Sequence, residues 1–216
     1  MHSSEFYSIL KANFKFQPTL KQDIVLQQLA EFVFSQANNQ LYILKGFAGT
    51  GKTTVIGTLV NNLWKVKKSA VLLAPTGRAA KVMANYSHND AFTIHKKIYT
   101  PRYSKNGKVT FVLAPNKHKK TIFIVDEASM ISDMPSQASL FGSGSVLDDL
   151  VQYVYSGFQC KLVFVGDTAQ LPPVKLDLSP ALDDKRLSLQ YSKDITQTEL
   201  DEVMRQELDS GILFNA

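Results

Sequence analysis

Residues 46–53 read Gly46-Phe47-Ala48-Gly49-Thr50-Gly51-Lys52-Thr53 and directly follow the apolar run Leu41-Tyr42-Ile43-Leu44. This is the pattern G-x-x-x-x-G-K-[ST], and it constrains the fold more than any other stretch of the chain. Its glycines let successive backbone N–H groups turn inward around an anion, and the field of a helix N-terminus reinforces them. A chain that uses it must run strand, tight loop, helix. The pattern therefore places a triphosphate, ATP, against Ala48, Gly49, Thr50, Gly51, Lys52, Thr53 and Thr54. Lys52 reaches the β- and γ-phosphates, and the Thr53 hydroxyl ligates Mg²⁺. A glycine-rich turn with a chance lysine is the bland alternative; the strand before and the helix after argue against it.

Further unbroken apolar runs recur at Ala70-Val71-Leu72-Leu73, Thr121-Ile122-Phe123-Ile124-Val125 and Lys161-Leu162-Val163-Phe164-Val165. Such runs are what strands covered on both faces require. Helical patterns lie between them, at about 51–66, 77–85 and 146–156, and another precedes the first strand at about 19–36. Strand–helix alternation predicts an α/β fold, a three-layer P-loop NTPase with a mainly parallel sheet and right-handed crossovers. The expected organisation is an N-terminal helical segment over 1–38 and a nucleotide-binding domain over 39–216.

With 216 residues, 44% hydrophobic and 20% charged, the chain is long enough for one well-cored α/β domain and is not of disordered composition. No apolar run reaches the roughly 20 residues of a membrane span. The first residues, Met1–Phe6, do not read as a signal peptide, and the single cysteine, Cys160, has no zinc-ligand spacing with the histidines. No membrane partner and a cytoplasmic location are expected.

The strand Ile122–Val125 ends in Asp126-Glu127, two carboxylates where ligands collect at the carboxyl edge of a parallel sheet. Asp126 is expected to hold the magnesium, directly or through water, and Glu127 to polarise the attacking water. One segment breaks the alternation. Between Lys96 and Lys120 the chain carries eight Lys and Arg and no Asp or Glu, against a net charge of +5 overall, which suggests a polyanion at one place. Within it, Asn106-Gly107 flanked by β-formers predicts a small inserted β-hairpin over 99–114, with the whole insertion at about 97–120.

Ala74-Pro75-Thr76-Gly77-Arg78-Ala79-Ala80, Thr93-Ile94-His95, Asp126-Glu127-Ala128-Ser129 and Val165-Gly166-Asp167-Thr168-Ala169-Gln170-Leu171-Pro172-Pro173-Val174 together resemble, in order, motifs of the superfamily-1B DNA helicases of RecD-like, Dda-like and Pif-type. The resemblance runs from about residue 17 to 216 and implies a first RecA-like motor domain that couples ATP hydrolysis to 5′→3′ translocation on single-stranded DNA and to duplex unwinding in repair or recombination. It implies that Gln22 reads adenine, that Gln170 senses the γ-phosphate and magnesium shell, and that Arg205, in Leu200–Gln206, faces the γ-phosphate. Lys52, Glu127, Gln170 and Arg205 would then be the catalytic set.

On the DNA side, Thr76, Arg78, Thr93 and His95 follow strand ends, where short hydroxyls and a cation suit sequence-indifferent phosphate contacts. Pro75 and Phe92 are placed to wedge or stack against bases, and Arg78 can equally cap its own helix. The hairpin falls where this family carries an inserted pin that meets the duplex fork, with Tyr99, Tyr103 and Phe111 as stacking candidates or as hairpin packing. Eleven residues follow Arg205, too few for the second RecA-like domain, so a fragment inactive in unwinding is expected. Subunits of a nuclease or repair complex are partners only by analogy. The alternatives are a nucleotide-gated nucleic-acid-binding module without catalysis and, less well matched, a small P-loop kinase.

Overall fold

The computed structural model describes residues 1–104, 106–132, 140–167, 169–170 and 179–202. Two helices come first, α1 (Ser3–Ala12) and α2 (Leu20–Phe34). Thr19 starts α2 with a reciprocal cap: its hydroxyl accepts from the Gln22 N–H while the Gln22 side chain accepts from the Thr19 N–H. Then follow β1 (Gln40–Gly46), α3 (Lys52–Asn62), β2 (Ser69–Ala74), α4 (Gly77–Ser87), β3 (Ala91–Thr93) and α5 (Ile94–Ile98). The hairpin β4 (Tyr99–Tyr103) and β5 (Val109–Leu113) precedes β6 (Thr121–Val125), α6 (Val146–Tyr155), β7 (Lys161–Gly166), α7 (Asp184–Tyr191) and β8 (Asp194–Leu200).

Six strands form one sheet in the order β3-β2-β6-β7-β1-β8, every neighbouring pair parallel. The expected α/β architecture is therefore present. Its central strands are apolar throughout because both faces are covered. Tyr42, Leu44, Leu72, Ile122, Ile124, Val163 and Val165 face a core shared with α1–α4. Their neighbours Leu41, Ile43, Leu73, Phe123, Val125, Leu162 and Phe164 face the opposite core, under α5–α7. Alternate side chains of one strand pointing to opposite faces give three layers. Among the described residues no helix is long and apolar enough to cross a membrane.

Lys161 is a cation placed inside this packing, 3% exposed. Its Nζ donates to the Phe32 and Ser35 carbonyls at 2.7 and 2.9 Å and to Gln40 Oε1 at 3.1 Å, at the C-terminal end of α2. Burial, and then the charge of Lys68, push its pKa down to about 8.

The hairpin is shorter than the basic segment. It closes through Ser104 and Gly107, the latter at φ 73°, in the left-handed region glycine tolerates. Lys117, Lys119 and Lys120 have left it and lead into the amino end of β6, so the single basic field expected from the sequence is divided between two places. Of the two roles open to Phe111, base stacking or hairpin packing, the structure shows packing: its ring stacks on Phe141 at 4.5 Å and 16°, and backbone hydrogen bonds from Phe111 to Leu140 and from Gly142 to Phe111 fix that register. Tyr99 is likewise turned inward, its hydroxyl donating to the buried carboxylate of Asp149 at 2.6 Å. Tyr103 stands out, 74% exposed.

Candidate functional site

The loop between β1 and α3 emerges at the carboxyl edge of the sheet, with β7 on one side of β1 and β8 on the other. Its backbone turns at Gly49 and Gly51, with φ of 80° and 90°. At Gly51 the constraint is double: a Cβ would also collide with the Gln22 amide nitrogen, which packs directly beneath the loop. Thr50 is buried, its hydroxyl donating to the Phe47 carbonyl at 2.8 Å. Ala48, Gly49 and Thr53 are exposed, and Thr54 is half-buried within the first turn of α3.

The Lys52 ammonium folds back on the loop, donating to the Gly46 and Phe47 carbonyls at 2.6 and 2.9 Å. Burial lowers its pKa, and three carboxylates oppose that shift: Asp167 most, then Asp126 and Glu127. Those acids come from the ends of two adjacent strands, β6 and β7, and share one electrostatic neighbourhood with the lysine. Asp167 was absent from the sequence-based set. It is buried and its Oδ1 accepts from the Ala169 N–H at 2.8 Å. In the sequence it stands within the motif-like segment Val165–Val174, as an acid just after an apolar strand, the same signal that marked Asp126.

Asp126 is oriented from two sides. Its Oδ1 accepts from the Glu127 N–H at 2.9 Å, and its Oδ2 from the Tyr86 hydroxyl of α4 at 2.9 Å. Burial, then the charges of Asp126 and Glu127, raise the Tyr86 pKa, so the phenol stays a donor. Glu127 itself has φ 55°, ψ 37°, a left-handed conformation that costs a non-glycine residue of order 1 kcal/mol. Two residues on, the Ser129 hydroxyl donates to Gln170 Oε1 at 2.7 Å, joining the segments that follow β6 and β7.

Gln22 is 1% exposed; its Nε2 donates to the Thr50 carbonyl at 3.0 Å and its Oε1 accepts from the Thr19 N–H at 3.1 Å. Each end of the amide keeps one further hydrogen-bonding position. Arg205 lies outside the described residues. The donor set near Lys52, a threonine hydroxyl and carboxylates, is all hard oxygen and suits Mg²⁺, which takes one or two carboxylates beside water and phosphate and does not require a protein cage. Among the described residues there is no group of three or more His, Cys, Asp and Glu that could hold a metal ion.

At the same edge, Ala74 at the end of β2 pairs with Thr93 at the end of β3, which sets Pro75-Thr76 beside Thr93. Thr76 caps α4 by accepting from Ala79 N–H at 3.2 Å, and Thr93 caps α5 by accepting from Lys96 N–H at 3.3 Å. The cap of α4 is therefore Thr76 and not Arg78, which is exposed in the first turn. Each hydroxyl still has a proton to donate outward. Phe92 carries the Lys96 and Lys97 ammonium groups over its ring at 5.7 and 5.4 Å. His95 is half-buried between Tyr99 and Phe141, and burial lowers its pKa; near neutrality it offers a hydrogen bond rather than a charge.

The AAA domain family matches residues 28–176. The ATP-dependent RecD2 DNA helicase of Deinococcus radiodurans is 30% identical over 159 residues, covering 73% of this chain and 19% of that protein. The ATP-dependent DNA helicase dda of Enterobacteria phage T4 is 30% identical over 166 residues, covering 75% of this chain and 34% of that protein. The chain thus spans between a fifth and a third of these relatives. The crystal structure of Pif1 helicase from Candida albicans superimposes with a TM-score of 0.53 at 20% identity, covering 87% of this chain and 40% of that one; that likeness is one of fold.

Proposed function

This chain belongs to the AAA domain family, as a superfamily-1B helicase motor domain, and from that premise we propose that it binds ATP·Mg²⁺ and drives 5′→3′ movement of a larger protein along single-stranded DNA. The observation that carries the reading is the shared neighbourhood of Lys52 with Asp126, Glu127 and Asp167 at the mouth of the glycine loop. An ammonium that exchanges its hydrogen bonds to neutral loop carbonyls for a triphosphate gains anionic partners.

The loop amides at 48–54 hold the β- and γ-phosphates, and Lys52 crosses to them. Thr53 and Asp126 hold the magnesium, with Tyr86 fixing the carboxylate and Asp167 supplying further negative charge nearby. When bound, that ion neutralises charge developing on the transferred phosphoryl group and its leaving oxygen. Glu127 accepts the proton of the attacking water. Gln170, tied to Ser129, reports the state of the γ-phosphate to the segment after β6, and Arg205 adds positive charge from outside the described residues. Gln22 braces the loop and uses its remaining hydrogen-bonding positions on adenine.

DNA follows the carboxyl ends of β2 and β3. There the outward protons of Thr76 and Thr93, the exposed Arg78 and the imidazole of His95 meet phosphates, while Pro75 and Phe92 meet bases. Tyr103, at the hairpin's end, faces the duplex fork. Nuclease or repair subunits remain partners by analogy alone.

In the protein that contains this chain, Glu127→Gln retains nucleotide binding while single-stranded-DNA-stimulated ATP hydrolysis falls by about 10²–10⁴-fold, the range of a lost general base. Lys52→Ala loses both. Hydrolysis that survives Lys52→Ala would remove the reading.

A further inference from the structure

At the sheet edge opposite the glycine loop, the amino ends of β2, β6 and β7 lie side by side: Ser69 pairs with Thr121, and Ile122 with Lys161. The connections entering these strands are laced together. The Ser69 N–H donates to the Lys120 carbonyl at 3.4 Å, and the Lys120 N–H to the Phe158 carbonyl at 2.8 Å.

Six lysines surround that junction. Lys65, Lys67 and Lys68 come from the turn before β2, and Lys117, Lys119 and Lys120 from the segment before β6. None of them pairs with a described carboxylate, for the ion pairs of the described residues involve Lys11, Lys21 and the N-terminus. The connections themselves, 63–69, 115–120 and 156–160, contain no Asp or Glu. The lysines crowd one another: burial and then the charge of Lys120 lower the pKa of Lys68.

Two large rings stand out of the same junction. Trp64 is 70% exposed and Phe158 60% exposed. The Lys65 ammonium lies 5.8 Å over the Trp64 ring, and Phe158 bridges to Lys119. The three connections each reverse through a non-glycine residue in the left-handed region: Lys67 at φ 55°, Lys120 at 48° and Gln159 at 52°. Glycine would relieve that strain, but at two of the positions it would remove a positive charge.

We propose that this edge is a second nucleic-acid surface, binding a single strand with its phosphates on the lysines and its bases against Trp64 and Phe158. Unopposed positive charge selects a polyanion. Exposed rings select unpaired bases, whose faces stack on aromatics for about 1–3 kcal/mol each, while a duplex hides those faces and an acidic protein has none. The surface is separate from the path across Thr76 and Thr93: the six residues of β2 hold the two edges about 17 Å apart. It requires nothing of the ATP site.

Trp64 is the only tryptophan, so its emission reports this surface alone. The chain is titrated with an end-labelled oligo-dT of about 15 nucleotides, enough for a site of this class, following label anisotropy and tryptophan emission together. Oligo-rU, a blunt duplex and poly-glutamate serve as the other arms. The expected result is that oligo-dT or oligo-rU quenches Trp64 in step with the anisotropy. The quench persists in Thr76→Ala/His95→Ala and is lost in Phe158→Ala with Lys67→Gln, Lys119→Gln and Lys120→Gln. For single strands, removing three phosphate contacts makes the log-affinity against log-salt slope shallower by about 2. Anisotropy that rises while Trp64 emission stays constant overturns the proposal and leaves the DNA path at the other edge standing. Equal quenching by duplex or poly-glutamate overturns it too, as does the absence of any binding.

Discussion

Gly51 is where backbone, neighbour and ligand demands meet in one residue. Its φ of 90° is in the region where an L side chain is strained, and a Cβ would push into the amide of Gln22. Gln22 is itself the partner of the buried Thr50 carbonyl. Gly51→Ala therefore costs about 1–2 kcal/mol from the backbone alone and dislodges the brace beneath the loop. Its expected signature is a lower urea midpoint together with loss of nucleotide binding. A variant that binds nucleotide with wild-type affinity would show that the loop does not need this geometry. His95 makes a second residue-scale prediction. Burial lowers its folded-state pKa below the ordinary value of about 6.5. The unfolded chain then binds more protons just below that pH, so the stability from neutral His95 is complete above about 6.5 and is lost as pH falls toward the folded value. His118, lowered by burial and then by Lys97, acts in the same direction. Urea midpoints measured from pH 7 to 5 are expected to fall, with a shallower slope in His95→Phe; an unchanged slope would mean that the ring is not desolvated.

Elements carry the next lesson, beginning with the end of α2. Lys161 satisfies the Phe32 and Ser35 carbonyls, and a cation there also suits the negative end of the helix dipole. Lys161→Met keeps the aliphatic stem but strands those carbonyls, at about 2–3 kcal/mol; denaturant titration reads the cost, and a loss under 0.5 kcal/mol would show that water replaces the ammonium. In the sequence, Lys161 read only as the first residue of a strand. That is the pattern of what was legible. Runs such as Ile122–Val125 announced β6 because both faces are covered, and Asn106-Gly107 announced the hairpin through turn chemistry. By contrast β8, Asp194–Leu200, is an edge strand paired only with β1 and largely polar, so no apolar run marks it. α1 buries only Phe6 and Leu10, too narrow a stripe to stand out. At the site, Lys52, Asp126 and Glu127 were readable because motif order fixes them. Asp167 depends on β7 lying next to β1, and Tyr86 on α4 reaching across to β6. Both are facts of strand and helix placement, which residue spacing does not encode. The basic segment misled in a related way: charges contiguous in sequence are parted by the turn that takes the chain from β5 into β6.

At the scale of the molecule, the N-terminal helical segment and the nucleotide-binding sheet are packed into one core. Phe6 and Leu10 of α1 are fully buried in the cluster that holds Leu29 and Val33 of α2, Leu59 of α3, and Tyr42 and Val163 of the sheet. Polar contacts run between the same helices, with the Tyr7 hydroxyl donating to Asp23 Oδ1 at 2.8 Å and Lys11 Nζ to Asp23 Oδ2 at 2.9 Å. Elements that share a close-packed interior lose it together, so helix and sheet are expected to unfold in one cooperative transition. Phe6→Ala tests this far from the ATP site. Truncating a buried phenylalanine costs about 3–5 kcal/mol, a large share of the about 5–15 kcal/mol that holds an ordinary domain, whereas Leu189→Ala, on a side chain 85% exposed, is expected to change stability by less than about 0.5 kcal/mol. Followed by far-ultraviolet dichroism and by hydrogen exchange at β1 and β7, the Phe6→Ala midpoint should move down equally in both probes. If the helical signal melts first while exchange at β1 and β7 keeps its wild-type protection, α1 and α2 are an appendage, and the brace that Gln22 of α2 provides under the phosphate loop is lost before the sheet unfolds.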